Sequence, residues 1–123
     1  MTVEEYDAFC SGLTATTHVV QWGGSQVWKV GGKVFAIAGS GSSRTSVDNA
    51  AITFKTSDVA FAMLADQPGL RPAPYLASRG LKWIQHYGEP GLTDDELRAY
   101  LLQSYRMVAG GLTAKKRREL GLA

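Results

Sequence analysis

Few residues in this 123-residue chain have types and spacings suited to bond-making chemistry. Cys10 is the only cysteine, so no internal disulfide is possible. It falls on the apolar stripe Tyr6, Phe9, Cys10, Leu13, where a buried structural thiol is expected rather than a nucleophile. His18 and His86 belong to different extended segments and neither has a second ligand at metal spacing. Gly39-Ser40-Gly41-Ser42-Ser43-Arg44 has the glycines and hydroxyls of an anion-cradling loop. It lacks a Walker lysine, a third glycine and a following helix, and reads as a solvated loop. Glu4, Glu5 and Asp7 are too few for an acidic iron-binding ridge, and two of them suit a helix start. No catalytic residue, metal or cofactor is expected, and the chain reads as a non-enzyme.

Cations offer a second kind of chemistry, the binding of polyanions. Net charge is only +2, but it is segregated. Residues 1–17 carry −3 and residues 88–114 carry −2, whereas 18–56, 71–87 and the tail 115–123 each carry +3. The acidic blocks fall on predicted helices, and the basic ones on strands, loops and the tail. Such segregation can set a basic face against an acidic one. Phosphate binding requires lysine and arginine on a shared surface. The candidates are Lys29, Lys33, Arg44, Lys55, Lys82, Lys115, Lys116, Arg117 and Arg118. Trp22, Trp28 and Trp83 have rings able to stack on bases, although Trp28 is expected in the core. No stretch reaches the roughly 18 to 20 apolar residues of a membrane span, and the acidic start Met1-Thr2-Val3-Glu4-Glu5 is unlike a signal peptide. A cytoplasmic protein is expected.

The elements that must position these groups follow from periodicity and punctuation. Thr2 and Glu5 form a capping-box pattern ahead of a helix at about 3–13. Three strands, 18–22, 26–30 and 33–37, are separated by Gly23-Gly24 and Gly31-Gly32, which suit two-residue hairpin turns. Two such turns pair Val30 with Lys33, Trp28 with Phe35 and Val19 with Trp28. Val19, Trp28, Val30, Phe35 and Ile37 then share the core face. Val20, Trp22, Val27, Lys29, Val34 and Ala36 share the other. Residues 39–49 read as a polar loop, 50–55 as a fourth strand, and 58–65 as a helix capped by Ser57. A proline-punctuated connection leads to a strand at 81–87. Thr93 and Glu96 then open the clearest helix, with the stripe Leu97, Leu101, Tyr105, Val108, Leu112. The tail adds a short turn at most. Alternation points Lys29 and Lys55 away from the helices, and the apolar part of that open face, Val20, Trp22, Val27 and Val34, is the alternative site. It would serve a protein partner, self-association or a small ligand. The order indicates one α+β domain over 1–123, a single antiparallel sheet with helices packed on one face.

Several stretches together resemble the MmcQ/YjbR family: Tyr6 to Leu13, Val27-Trp28-Lys29-Val30-Gly31-Gly32-Lys33-Val34-Phe35-Ala36, Phe54-Lys55, Pro72-Ala73-Pro74-Tyr75-Leu76, Lys82-Trp83-Ile84, Ser104-Tyr105-Arg106-Met107-Val108 through Leu112, and Lys115-Lys116. The resemblance covers nearly the whole chain. It implies a frataxin-like (CyaY-like) two-layer sandwich and a double-wing mode of DNA binding. Lys33 at a hairpin tip and Arg44 in the 39–49 loop would sit on the wings.

Overall fold

The computed structural model describes residues 1–21, 23–39 and 51–122. Helix α1 (Val3–Ser11) leads into β1 (Thr16–Gln21), β2 (Ser25–Val30), β3 (Lys33–Ala38) and β4 (Ile52–Lys55). Then come α2 (Asp58–Leu64), β5 (Leu70–Pro72), β6 (Trp83–His86), α3 (Asp94–Gly110) and α4 (Ala114–Glu119). The strands form one antiparallel sheet in the order β1-β2-β3-β4-β6-β5. The α+β architecture expected from the sequence is thus observed.

Both capping boxes form. Thr2 and Glu5 exchange bonds of 2.9 and 3.1 Å, and Thr93 and Glu96 do the same. These satisfy amides that a helix start leaves without intrahelical partners. α3 lays Leu97, Leu101, Tyr105 and Val108 on the sheet, α1 adds Tyr6 and Cys10, and α2 adds Leu64. Trp28, Phe35, Ile52 and Phe54 meet them from the strands in one core, as the alternation requires. Fixed bonds accompany the apolar packing: Trp28 Nε1 donates to Asp7 at 2.8 Å, and the Tyr105 hydroxyl to the Thr14 carbonyl at 2.6 Å.

Two details depart from the predicted register. Gln21 pairs with Ser25, so three residues separate β1 from β2 instead of two. The slip sets Trp28 opposite His18 and Val19 opposite Val27. A one-residue shift moves every side chain of a strand to the other face. Val20 therefore faces away from Val27. In β3, Val30 pairs with Lys33 as expected, but Lys29 pairs with Val34 and Trp28 with Ala36. Phe35 is thus the extra residue of a β-bulge. The bulge places both Phe35 and Ala36 in the core and turns Ile37 to the other face, opposite Val27 and Thr53.

The hydroxyl of Ser104, fully buried on α3, spans the place where the β3–β4 ladder stops. It donates to the Phe35 carbonyl at 2.7 Å and accepts from the Lys55 amide at 2.9 Å. Beyond the last pair, Ala36 with Phe54, the helix side chain stands in for a ladder bond.

Candidate nucleic-acid interface

The register gathers the strand lysines at one end of the sheet. β2 finishes with Lys29 and Val30, β3 starts at Lys33, β4 finishes at Lys55, and Lys55 pairs with Trp83 at the start of β6, next to Lys82. Because the strands are antiparallel, all four lysines occupy the same sheet end. Lys33 and Lys82 are exposed, and Lys29 and Lys55 are partly so. Lys29 and Lys55 also share the face opposite α1 and α3, since alternation sets them out of phase with Trp28, Val30, Ile52 and Phe54. Lys82 Nζ lies 4.8 Å from the centre of the Phe61 ring, a cation–π pairing on an exposed residue.

The β2–β3 hairpin tip makes this end continuous with the C-terminal cations. Gly31 and Gly32 have φ of 60° and 81°, the two positive values of a type I′ turn. A β-carbon on Gly31 would lie 2.6 Å from Leu112 Cδ1, so the tip is seated against the end of α3. α4 begins two residues further on, capped by the Thr113 hydroxyl, which accepts from the Lys116 amide at 3.1 Å. The tail predicted to be a turn at most and free to follow a phosphate backbone is therefore a short helix. Lys115, Lys116 and Arg118 are exposed on it. Arg117 is not free: its Nη1 donates to the carbonyls of Gly110 at 3.1 Å and Leu112 at 2.7 Å, closing the end of α3.

Asp58 and Glu119 lie near the cations, on α2 and α4, but the acids of the first turns of α1 and α3 lie at the opposite end. The carboxylate of Asp94 meets the terminal ammonium of Met1 at 3.1 Å, which sets the starts of α1 and α3 side by side. Glu4, Glu5, Asp94, Asp95 and Glu96 occupy those first turns. Ser104 marks the level of Phe35 and Lys55, so the start of α3 lies about 15 Å from it at 1.5 Å per residue. Charge is thus polarised end to end, not face to face as the composition suggested.

Val20 does not join the predicted apolar patch, of which Val27 and Val34 share one face. Val20 is 55% exposed and lies on the side of Gln26 and Trp28, whereas Val27 is fully buried on the other side and Val34 is half-buried. The register slip after Gln21 separates Val20 from the other two. Trp22 and Arg44 lie outside the described residues, as does the 39–49 loop save Gly39. Trp83 is buried and offers no stacking surface.

Cys10 is fully buried, and burial pushes its thiol well above the ordinary range, so it carries no thiolate at neutral pH. His18 donates from Nε2 to the Gln26 side-chain oxygen at 2.6 Å and packs on Trp28 at 4.9 Å between ring centres. Among the described residues no group of three His, Cys, Asp or Glu side chains is placed to hold a metal ion. None of the described helices is long and apolar enough to cross a membrane.

Sequence reasoning missed Tyr75. It is 86% exposed and has a φ of +69° in the connection between β5 and β6. The signal available was the Pro-Tyr pair of Pro72-Ala73-Pro74-Tyr75, with Arg79 and Lys82 following.

No curated protein matches the chain. Solved structures share its fold. A Deinococcus radiodurans protein, DR2400, carrying the domain DUF419, superposes with a TM-score of 0.78 at 21% identity, covering 99% of this chain and 89% of its own. A Pseudomonas syringae protein superposes with a TM-score of 0.66 at 16% identity, covering 88% of this chain and 99% of its own. The YjbR family model matches residues 11–107, from the end of α1 to the last turns of α3, and the chain belongs to the YjbR family.

Proposed function

We propose that the protein is a nucleic-acid-binding domain that holds DNA by its phosphate backbone, with the basic sheet end as its surface. The observation that carries this reading is the alignment of Lys29, Lys33, Lys55 and Lys82 across β2, β3, β4 and the start of β6. Lys115, Lys116 and Arg118 continue the row from α4. Cations on a shared surface supply the sequence-independent part of nucleic-acid affinity, through release of counterions. A net charge of +2 gives little long-range attraction, so the local density at this end must supply the binding. The β2–β3 hairpin takes the place of one wing. Association through an apolar sheet patch has less support, because Val20 and Val27 face opposite ways.

Fluorescence anisotropy against random duplex and single-stranded DNA at two salt concentrations tests the reading. Binding should fall steeply as salt rises. Lys29→Ala with Lys55→Ala should reduce the duplex salt slope by about 0.9 for each phosphate that is no longer neutralised, and should weaken all sequences alike. Folding should be unaffected, since exposed charges contribute little to stability. Salt-insensitive or undetectable binding by the wild type, or wild-type affinity in the double variant, would refute it.

A further inference from the structure

We infer that Tyr75 is a base-stacking residue and that the basic end of the sheet takes single-stranded in preference to duplex nucleic acid. The inference rests on the nucleic-acid reading above and deepens it. Tyr75 is 86% exposed, more than any other large apolar side chain described. A lone exposed aromatic ring is ordinary. Here the backbone is also left-handed at a side-chain-bearing residue, with φ at +69°. Such a conformation is unfavourable and persists only where the surroundings impose it.

The surroundings impose it through a hydrogen-bonded loop. The Leu76 amide donates to the Pro74 carbonyl at 2.8 Å, and the Ala77 amide to the Ala73 carbonyl at 3.0 Å. The Leu81 amide donates to the Leu76 carbonyl at 3.1 Å, and the Ser78 hydroxyl to the Tyr75 carbonyl at 2.7 Å. Pro72 and Pro74 fix their own φ angles on either side of Ala73. The backbone of Tyr75 is bound on both sides while its ring stands in water. With the backbone already fixed, only side-chain freedom is lost when a flat partner lies on the ring.

Its place in the fold indicates the partner. The Ala73 amide donates to the Trp83 carbonyl at 2.9 Å, and the Lys82 carbonyl accepts from the Thr56 amide at 2.9 Å. The loop therefore emerges at the sheet end that carries Lys55 and Lys82, with exposed Arg79 four residues beyond Tyr75. From β2 to β5 the sheet spans four strand spacings, about 19 Å, room for a short run of backbone phosphates. A basic track beside an aromatic platform is the arrangement that holds unpaired strands, because every base has a face to stack. In a duplex the base faces are already stacked on their neighbours.

The test uses the full chain with labelled oligo-dT, oligo-rU and a duplex of equal length. Wild type should bind at least one of the single strands more tightly than the duplex, and the two arms identify the preferred strand. Tyr75→Asn tolerates the left-handed backbone, so its melting temperature should stay at the wild-type value. Its affinity for that strand should fall about 10-fold, with duplex binding and its salt slope unchanged. Tyr75→Trp should retain the affinity and show indole quenching on titration with oligo-dT. The inference alone is overturned if wild type binds with salt dependence but prefers duplex, or if Tyr75→Asn binds single strands as tightly as wild type. In the latter case the ring is left for a protein partner. If wild type binds neither strand nor duplex at low salt, the nucleic-acid reading fails and takes this inference with it.

Discussion

Replacing Ser104 by alanine removes one oxygen atom and strips two backbone groups of their partner. The Phe35 carbonyl loses a bond of 2.7 Å and the Lys55 amide one of 2.9 Å. Ser104 has no exposed surface, so water cannot replace the hydroxyl without opening the helix–sheet interface. A buried backbone group left unsatisfied costs about 1–3 kcal/mol. Alanine's better helix propensity returns roughly 0.5 kcal/mol. For the two groups together the net loss should be about 1.5–5.5 kcal/mol. An unfolding entropy of about 2.1 cal/mol/K per residue over 123 residues comes to roughly 0.26 kcal/mol/K. The melting temperature should therefore fall by about 6–21 °C. Thermal unfolding by circular dichroism measures the total, and amide hydrogen exchange locates it. The Lys55 amide should lose protection selectively, while the Phe54–Ile84 region of the β4–β6 ladder keeps its own. A fall of less than about 2 °C, or unchanged exchange at Lys55, would show that the hydroxyl does not hold the strands together.

Two further perturbations probe the opposite ends of the sheet. Gly31→Ala combines a φ of +60° with a β-carbon 2.6 Å from Leu112 Cδ1, whereas Gly32, at +81°, has open space around it. Gly31→Ala should cost about 1–3 kcal/mol in urea unfolding and Gly32→Ala less; equal losses would mean that the hairpin tip is not seated on α3. Burial and, secondarily, the nearby Met1 ammonium hold the His86 imidazole below its ordinary pKa of about 6.5, outweighing the opposing effects of the Leu92 and His86 backbone and of Asp94. The unfolded chain then takes up the proton first. The stability His86 contributes is complete above its unfolded pKa and declines as pH falls through 6.5 toward the folded value. Melting temperatures between pH 7.5 and 5.5 should fall for wild type and change less for His86→Asn; parallel curves would exclude His86 as the source.

The fold was legible wherever local chemistry decided it. Thr2 with Glu5 and Thr93 with Glu96 announced α1 and α3, and both boxes formed. Gly31-Gly32 announced a two-residue turn, and Val30 pairs with Lys33. The identical-looking Gly23-Gly24 was misread because the pairing closes one residue earlier, at Gln21 and Ser25. Nothing local distinguishes the two glycine pairs. The Phe35 bulge was equally invisible, since the carbonyl it frees is met by a serine 69 residues away. Lys29 and Lys55 were placed correctly all the same, because β2 and β4 keep unbroken alternation while the extra residue sits in β3. β5 was passed over because it has only three residues and ends in Pro72, a sheet-edge residue that reads as loop. α4 needed recognition of Thr113 as a cap, and its run of cations masked that signal.

The separation of charge between the start of α3 and the lysine-bearing end of the sheet also bears on how the molecule meets its surroundings. With a sum of only +2, attraction over distance is feeble, but the separation of Asp94, Asp95 and Glu96 from Lys33 and α4 gives the molecule a dipole directed along the sheet. A dipole near a strongly negative surface experiences torque before it experiences much pull. Molecules approaching such a surface should arrive turned, with Lys33 and α4 leading and the Asp94 end trailing. Fewer collisions are then wasted on the wrong orientation. Added salt, with a Debye length of about 8 Å at physiological strength, should erase this alignment at a distance well before it weakens a complex already formed.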